Sequence, residues 1–351
     1  MEADREGDRR VRGWARYPSR LDLLGVAVVA MTALWALVAA ANRAGEPAAF
    51  LLALSAAVGG YVLGRLLGVG SALPAPAMVA GAVAGMSVLW PGASSGDATA
   101  PPLHYGNANG ALVAQAAGAA CLAALAVASA RWRRGILVLA ALLVLATFAT
   151  RSVAAAVGAL AVLSAGLLSA AARRKGTVVL VSALCVVGVA LGTVVLGVLG
   201  TRTGALEGAA EAGLTERRVQ LWGEGAHLTK SLPVRGTGPG MFVTNSATAS
   251  SDADVHSAHS LWLRQSAEQG VPGAVCLVAL VGWVYVRLWR SPQPVAVVLV
   301  GSATFTAFLV QASIDYVAEF PAVLVAVGVL TGVATAGPDR RSRARSADGV
   351  S

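Results

Sequence analysis

Two adjacent arginines and a glycine-rich turn have residue types suited to binding phosphate. Arg217 and Arg218 lie in the first turn of a predicted helix that Thr215 can cap and that extends to Leu228. Trp222 lies four residues after Arg218 and on the same face. The turn that follows contains three glycines, Gly236, Gly238 and Gly240. Guanidinium groups can bind phosphate oxygens in pairs, and backbone N–H groups of such a turn could assist. The alternative is a solvated basic helix followed by an ordinary loop.

His259 is the residue best suited to acid–base chemistry. It lies at the start of a second predicted helix, which begins near residue 256 and ends at Gln269. Imidazole has a reference pKa near neutrality, so His259 could deprotonate a hydroxyl group. A capping or surface histidine is the alternative. On the same helix, Arg264 and Glu268 are four residues apart and predict an ion pair.

Other polar and aromatic residues fall where the chain would meet the membrane surface. Asn107 lies in the segment His104–Gly110, whose asparagines and glycines suit a tight re-entry into the membrane. Arg151 separates two apolar runs with almost no loop, and an arginine there is costly unless it reaches the interface or pairs with an anion. Trp222 and Trp262 are interpreted as interfacial anchors rather than platforms for sugar stacking.

A competing interpretation of the same region is a metal site. Asp252, Asp254, His256 and His259 are close in sequence and could ligate a divalent ion. However, the segment lacks the His-Glu-x-x-His pattern, and aspartate-rich polar loops commonly bind no metal. We therefore predict neither a metal nor a cofactor.

The elements that must position these residues are membrane helices. Of the 351 residues, 56% are hydrophobic and 13% are charged, whereas a soluble domain has roughly 25% charged residues. The apolar runs are long enough to cross a hydrocarbon core of about 30 Å. They are continuous, and the strands of a membrane barrel would alternate with period two. The three cysteines lie within apolar runs, so we expect no disulfide and no thiolate metal site.

We predict an all-α integral membrane protein, a polytopic helical bundle of about ten transmembrane helices with one large extracytoplasmic loop that contains short helices. The predicted spans are Leu21–Ala41, Ala48–Val69, Leu73–Trp90, Asn109–Ala130, Gly135–Thr150, Ser152–Ala172, Thr177–Gly200, Val271–Trp289, Val295–Ser313 and Val317–Ala336. Residues 1–20 form a cytoplasmic segment, 21–200 the first seven spans, 201–270 the extracytoplasmic loop, 271–336 the last three spans and 337–351 a basic cytoplasmic tail.

The distribution of positive charge determines this orientation. The net charge is +9, but the cations form short clusters between apolar runs, which is how membrane topology is encoded. We therefore exclude nucleic acid binding and place both termini in the cytoplasm. All four histidines then fall on the outer side, together with the segment 201–270. A loop of about 70 residues is far longer than usual, and such loops are typically functional or disordered. Its helical periodicity favours an ordered loop.

Taken together and in order, four motifs resemble those of the O-antigen ligase and polymerase family of bacterial envelope glycosyltransferases. They are His104–Asn109, then Thr150–Ser152, then Arg217-Arg218-x-x-Leu221-Trp222 with Gly236–Gly240, then His259-Ser260-Leu261 through Glu268–Gly270. The resemblance covers about Leu103 to Gly273. Ser260 stands where the family commonly has asparagine.

The resemblance implies a protein of the bacterial plasma membrane that transfers a glycan from an undecaprenyl-diphosphate carrier to a glycan or lipid acceptor at the outer face. It implies an inverting displacement without a metal. Arg151 and one of Arg217 or Arg218 would bind the leaving diphosphate, and His259 would be the base or orienting group for the acceptor hydroxyl. Fixed positive charge is what a diphosphate leaving group requires.

Two alternatives to this function remain open. In the polymerase variant of the same family, the acceptor is another carrier-linked repeat unit. In a different class, the protein would be a transporter of polysaccharide or lipid without any chemistry. A transporter predicts paired charges and broken helices near the midplane of the membrane, whereas the predicted spans contain almost no charged residues.

Overall fold

The fold is entirely helical in the part of the chain that the structure describes. In a computed structural model, the described residues are 19–68, 102–200, 216–251, 255 and 257–337. These residues contain no strand, and eight of their helices are long and apolar enough to cross a membrane. The predicted class, an all-α polytopic membrane protein, is confirmed.

The helices have the following bounds in chain order: α1 Arg20–Ala40, α2 Pro47–Leu67, α3 Gly106–Ala126, α4 Ala130–Ala149, α5 Val153–Leu167, α6 Lys175–Gly200, α7 Glu216–Ser231, α8 Phe242–Asn245, α9 Ala247–Ser250, α10 Leu261–Trp289, α11 Val295–Ile314 and α12 Pro321–Thr335. Two 3₁₀ turns, Leu168–Ala170 and Val317–Glu319, follow α5 and α11. Eight predicted spans correspond to α1–α6, α10 and α11. The predicted span Leu73–Trp90 lies outside the described residues.

The last predicted span, Val317–Ala336, differs from the observed helix. A 3₁₀ turn occupies Val317–Glu319, and the apolar helix α12 begins only at Pro321 and has 15 residues. Pro321 is in the first turn of α12, where backbone N–H groups make no hydrogen bond within the helix, so proline can occupy this position without the loss of one. The loop residues 315–320 are therefore not part of a span and are available to a site.

The centre of the bundle is α3, whose sequence is mostly alanine and glycine. In its most apolar window 89% of the residues are buried, against 56% or less in the other spans. Its small side chains permit neighbouring helices to approach closely. A Cβ added to Gly110 would lie within 3.0 Å of Ser152 and 2.7 Å of Thr150, so the first turn of α3 packs on the turn between α4 and α5.

Helices α2 and α12 pack through glycines on both sides of their contact. An added Cβ on Gly60 or Gly64 would overlap the backbone of Val325 or Val329 in α12. On α12, Gly328 lies equally close to the backbone of α2. This is the small-residue packing by which membrane helices gain van der Waals contact without a hydrophobic driving force between them.

The segment between α6 and the second half of α10 is ordered where it is described. Helix α7 matches the predicted helix that was expected to end at Leu228, and it continues to Ser231. Helix α10 begins at Leu261, later than predicted, because His259 has a left-handed φ of 48° that a helix does not permit. It breaks at Gly270, where φ is 70°, as the Gly270-Val271-Pro272 sequence predicts.

Candidate active site

A buried carboxylate, Asp315, is the centre of a polar cluster at one end of the bundle. It follows the last residue of α11, and its side chain is 3% exposed. The hydroxyl of Tyr105 lies 3.0 Å from each carboxylate oxygen, and Asn107 Nδ2 donates to Oδ2 at 2.6 Å. The backbone N–H of Tyr316 donates to Oδ1 at 2.7 Å. The carboxylate therefore joins the start of α3 to the end of α11.

Arg218 is the predicted phosphate-binding arginine that reaches this cluster. Its Nη2 donates to Asp315 Oδ2 at 2.9 Å, and 22% of its side chain is exposed. Arg217, its neighbour on α7, is exposed. Because Asp315 contacts one edge of the Arg218 guanidinium, the carboxylate fixes the direction of the positive charge and leaves donors for a ligand.

His259 is positioned by a tryptophan and a tyrosine. Trp222 Nε1 donates to the carbonyl oxygen of His259 at 3.1 Å, and the imidazole meets the ring of Tyr316 edge-on with centroids 4.9 Å apart. Trp222 has no exposed surface. The interpretation of Trp222 as an interfacial anchor is therefore wrong, because its indole packs between α7 and α10 and holds the backbone of His259. The indole of Trp262 also bonds within the protein, to Ser313 Oγ at 2.8 Å.

Aromatic rings form one wall of the cluster. Tyr105 stacks on Tyr316 with centroids 4.3 Å apart and on Phe320 with centroids 5.7 Å apart. Burial raises the pKa of Tyr316 to about 12, and the charge of Asp315 adds to the rise. Tyr316 is therefore a neutral hydroxyl at ordinary pH. Burial also raises the pKa of Asp315, and the Arg218 guanidinium with the Tyr105 hydroxyl opposes that rise.

Arg151 lies on the turn between α4 and α5, beside the cluster but outside its hydrogen bonds. Its φ is 54° and its side chain is exposed. The neighbouring Ser152 caps α5, and Gln311 Nε2 lies 3.5 Å from its hydroxyl and 2.9 Å from the carbonyl oxygen of Asn107. Gln311 thus connects the Arg151 turn to the first turn of α3.

The glycine-rich turn makes its backbone hydrogen bonds within the protein. The N–H groups of Thr237 and Gly238 donate to the carbonyl oxygens of Ala267 and Glu268 at 2.8 Å each. Gly240 N–H donates to the carboxylate of Glu268 at 2.9 Å. These hydrogen bonds hold the turn against α10. The N–H groups of Gly238 and Gly240 are therefore already engaged, and they are not free to bind phosphate as the sequence suggested. Gly236, Gly238 and Gly240 all have positive φ, which glycine tolerates.

The predicted ion pair of Arg264 and Glu268 is part of a larger network. Arg264 Nε lies 3.1 Å from Glu268, and its Nη1 pairs with Glu319 in the 3₁₀ turn after α11. Burial raises the pKa of Glu319, and Arg264 opposes that rise. Through Glu268, the network connects the glycine-rich turn to the loop that carries Asp315.

Backbone strain coincides with the predicted motifs. Four non-glycine residues in the described part of the chain have positive φ, and three of them are His104, Arg151 and His259. Such conformations cost free energy and persist where the surrounding structure enforces them, often at functional sites. Each of the three lies at the entry to a helix that borders the cluster.

A cavity of about 790 Å³ opens beside the cluster and runs between α1, α2, α10, α11 and α12. At the end near the cluster it is lined by Glu46, Ser260, Arg264, Asp315 and Glu319. Its opposite end reaches Asp22 and Arg65, at the far ends of α1 and α2, which is about 30 Å away along a 21-residue helix. Apolar side chains form most of the wall between the two ends.

Sequence reasoning missed Asp315, Tyr316 and Glu319. An acidic residue directly after a span that is otherwise uncharged is a signal that could have identified Asp315. Glu319 was not recognised as a site residue because the last span was predicted to begin at Val317 and therefore included it. The residues of the competing metal site, Asp252, Asp254 and His256, lie outside the described residues.

The comparison with known protein families agrees with the four motifs. A family model described as O-antigen ligase matches residues 136–278, which include Arg151, Arg217, Arg218, Trp222, the glycine-rich turn and His259. No curated protein matches the chain. Together with the eight long apolar helices of the described residues, this match supports a bacterial membrane protein that contains a domain similar to O-antigen ligases. The predicted resemblance is confirmed, and residues 136–278 belong to the O-antigen ligase family.

Proposed function

We propose that this protein is a membrane glycosyltransferase of the O-antigen ligase type. It transfers a glycan from an undecaprenyl-diphosphate carrier to an acceptor hydroxyl at the outer face of the membrane. The observation that supports this most directly is the convergence of Arg218, His259 and Asn107 around Asp315 at the end of a long apolar cavity. A lipid-linked diphosphate requires both a charged headgroup site and an apolar path for its chain.

The transfer is a displacement at the anomeric carbon of the donor sugar. The acceptor oxygen forms the new glycosidic bond while the bond between that carbon and the phosphate oxygen breaks, which inverts the configuration. The proton of the acceptor hydroxyl goes to His259, and the diphosphate departs with the bonding electrons. Arg218, with Arg151 or Arg217 from the exposed side, stabilises the negative charge that develops on the diphosphate.

Asp315 and Asn107 act on this reaction through Arg218. A guanidinium that could rotate freely would lose part of its electrostatic effect, because catalysis depends on charge fixed where the transition state needs it. Asp315 holds Arg218 at 2.9 Å, and Tyr105 and Asn107 hold Asp315. We assign both residues as positioning residues.

The test is glycan transfer by the purified full chain in nanodiscs. The donor is carrier-linked glycan extracted from the source bacterium after deletion of this gene, and the acceptor is its membrane fraction. Arg218→Ala should lower the rate about 10²–10³-fold, the cost of removing one transition-state donor. His259→Ala should lower it about 10²–10⁴-fold, the usual contribution of a general base.

The matched control is Lys230→Ala, an exposed cation at the end of the same helix as Arg218. It should transfer at the wild-type rate, and chelators should leave all rates unchanged. Wild-type rates in both Arg218→Ala and His259→Ala would refute the assignment of the site. Product analysis separates the two members of the family, because long chains still on the carrier indicate a polymerase and single transfer indicates a ligase.

A further inference from the structure

The amino-terminal turn of α10 has backbone donors without partners in the helix. Ser260 is the N-cap, with extended backbone at φ −157° and ψ 121°, and its side chain makes no capping hydrogen bond. The first N–H groups of a helix, here those of Leu261, Trp262 and Leu263, have no intrahelical acceptor. They also carry the positive end of the dipole of the first part of α10, the nine residues before the break at Gly270.

The hydroxyl of Ser260 is a second observation at the same place. Ser260 is 1% exposed, and its Oγ has no hydrogen-bond partner among the residues that the structure describes. Ser260 and Leu261 both line the cavity at its cluster end. Nearly all buried hydroxyls in proteins are hydrogen-bonded, so this one requires an acceptor or donor that enters the cavity.

Three of the four described carboxylates near this terminus are already paired with arginines, and Glu46 is the fourth. Asp315 accepts from Arg218, and both Glu268 and Glu319 pair with Arg264. An uncapped helix terminus with a free hydroxyl offers several donors that converge on one point, while Asp315, Glu268 and Glu319 are engaged by arginines. A group with several acceptor oxygens and a negative charge satisfies such a set of donors best, and phosphate is that group.

We propose that the amino-terminal turn of α10, Ser260–Leu263, binds one phosphate of the carrier diphosphate while Arg218 binds the other. This inference rests on the proposed function. It places the leaving group directly after His259 in the chain, so the base and the anion site share one short segment. When the bond to the sugar breaks, the helix terminus stabilises the charge that accumulates on the departing diphosphate.

The test is binding of farnesyl diphosphate to the purified full chain, measured by isothermal titration calorimetry, with inorganic diphosphate and farnesol as parallel probes. The informative variant is Ser260→Asp. Aspartate is as good an N-cap as serine, so this variant should keep or raise the thermal midpoint. Its carboxylate occupies the donors and repels the ligand, so the affinity for farnesyl diphosphate should fall at least about tenfold.

The matched control is Ser129→Asp. Ser129 is the exposed N-cap of α4 and also makes no side-chain capping bond. The same charge change at that helix should leave binding unchanged. Ser260→Ala removes only the hydroxyl and should weaken binding about three- to tenfold, which keeps the proposal testable if Ser260→Asp fails to fold.

The outcomes separate this inference from the proposed function. If Ser260→Asp folds and binds farnesyl diphosphate with wild-type affinity, the inference is overturned and the proposed function stands. If Ser260→Asp does not fold, wild-type affinity of Ser260→Ala has the same consequence. Failure of the wild-type protein to bind either diphosphate removes the donor from the proposed function, and the inference falls with it. A loss seen with inorganic diphosphate but not with farnesyl diphosphate overturns the assignment to a carrier lipid.

Discussion

At the scale of single residues, the candidate site depends on how a buried carboxylate is satisfied. Asp315 is nearly inaccessible to solvent, and an isolated charge there would be too costly to keep. It accepts hydrogen bonds from Tyr105, Asn107, Tyr316 and Arg218, which come from three separate segments of the chain. The carboxylate therefore determines where the guanidinium of Arg218 lies.

The pH dependence of transfer should reveal this coupling. Burial raises the pKa of Asp315, so it takes up a proton at a higher pH than an ordinary carboxyl group as the pH falls. Protonation removes the charge that holds Arg218 and therefore lowers the rate on the acid side. In acid, the logarithm of the wild-type rate should fall with a slope against pH that is about 1 greater than the slope for Asp315→Asn.

The measurement is the rate of glycan transfer as a function of pH for the two proteins, after correction for the lower maximal rate of Asp315→Asn. Equal acid slopes would show that Asp315 does not titrate with the activity. Tyr316 cannot produce an alkaline loss in the same range, because its pKa is raised to about 12.

At the scale of helices, glycines decide which elements can touch. The contact between α2 and α12 brings backbone against backbone, and α12 begins directly after the loop that carries Asp315 and Glu319. The position of that loop relative to α10 therefore depends on the contact between α2 and α12. At Gly60 this contact leaves no room for a side chain. In the same way, Trp222 and the glycine-rich turn fix α7 and α10 around His259.

A pair of adjacent glycines in α2 tests this packing. Gly60→Ala should lower the free energy of unfolding by about 1–3 kcal/mol, the usual cost of overpacking, because its Cβ would overlap the carbonyl of Val325. Gly59→Ala should be neutral or stabilising by up to about 1 kcal/mol, because nothing among the described residues lies within 4 Å of an added Cβ and alanine favours a helix.

Thermal unfolding of the two variants in the same detergent, followed by tryptophan fluorescence, makes this comparison. Similar midpoints for Gly59→Ala and Gly60→Ala would contradict the close contact of α2 with α12. Gly59→Ala should also transfer glycan at the wild-type rate, because it leaves the loop after α11 unchanged.

At the scale of the whole molecule, the proposed function requires the cluster end of the bundle to face away from the cytoplasm. The positive-inside rule predicts this orientation. The cluster end carries α7, whereas the exposed arginines at the start of α4 lie at the opposite end of a span. A carrier that presents its glycan outside the cell must reach Arg218 and His259 from that side.

Single cysteines introduced into a variant without the three native cysteines test the orientation. Lys230→Cys on α7 should react with a membrane-impermeant maleimide in intact cells, and Arg133→Cys at the start of α4 should react only after the cells are opened. Both positions are exposed, so access of the reagent depends only on the side of the membrane. The reverse labelling pattern would eliminate the proposed function.

The sequence by itself determined the class of the fold, and it named several residues of the candidate site. Apolar runs of spanning length can form only helices in a membrane, because backbone groups without internal hydrogen bonds are too costly there. The arginine pair, the histidine and the glycine-rich turn were visible for a related reason: polar residues in a chain this apolar are few. The four motifs also resembled one family, and the family match over residues 136–278 confirmed it.

Only the tertiary structure decided which of these residues meet. Arg218 and Asp315 are 97 residues apart in the chain, and Tyr105 and Asp315 are 210 apart, so no local pattern pairs them. The choice of Arg218 over Arg217, the burial of Trp222 and the engagement of the glycine-rich turn with Glu268 all depend on how α7 docks on α10. Such contacts are decided by packing between distant segments, and periodicity along a single helix carries no information about its partner.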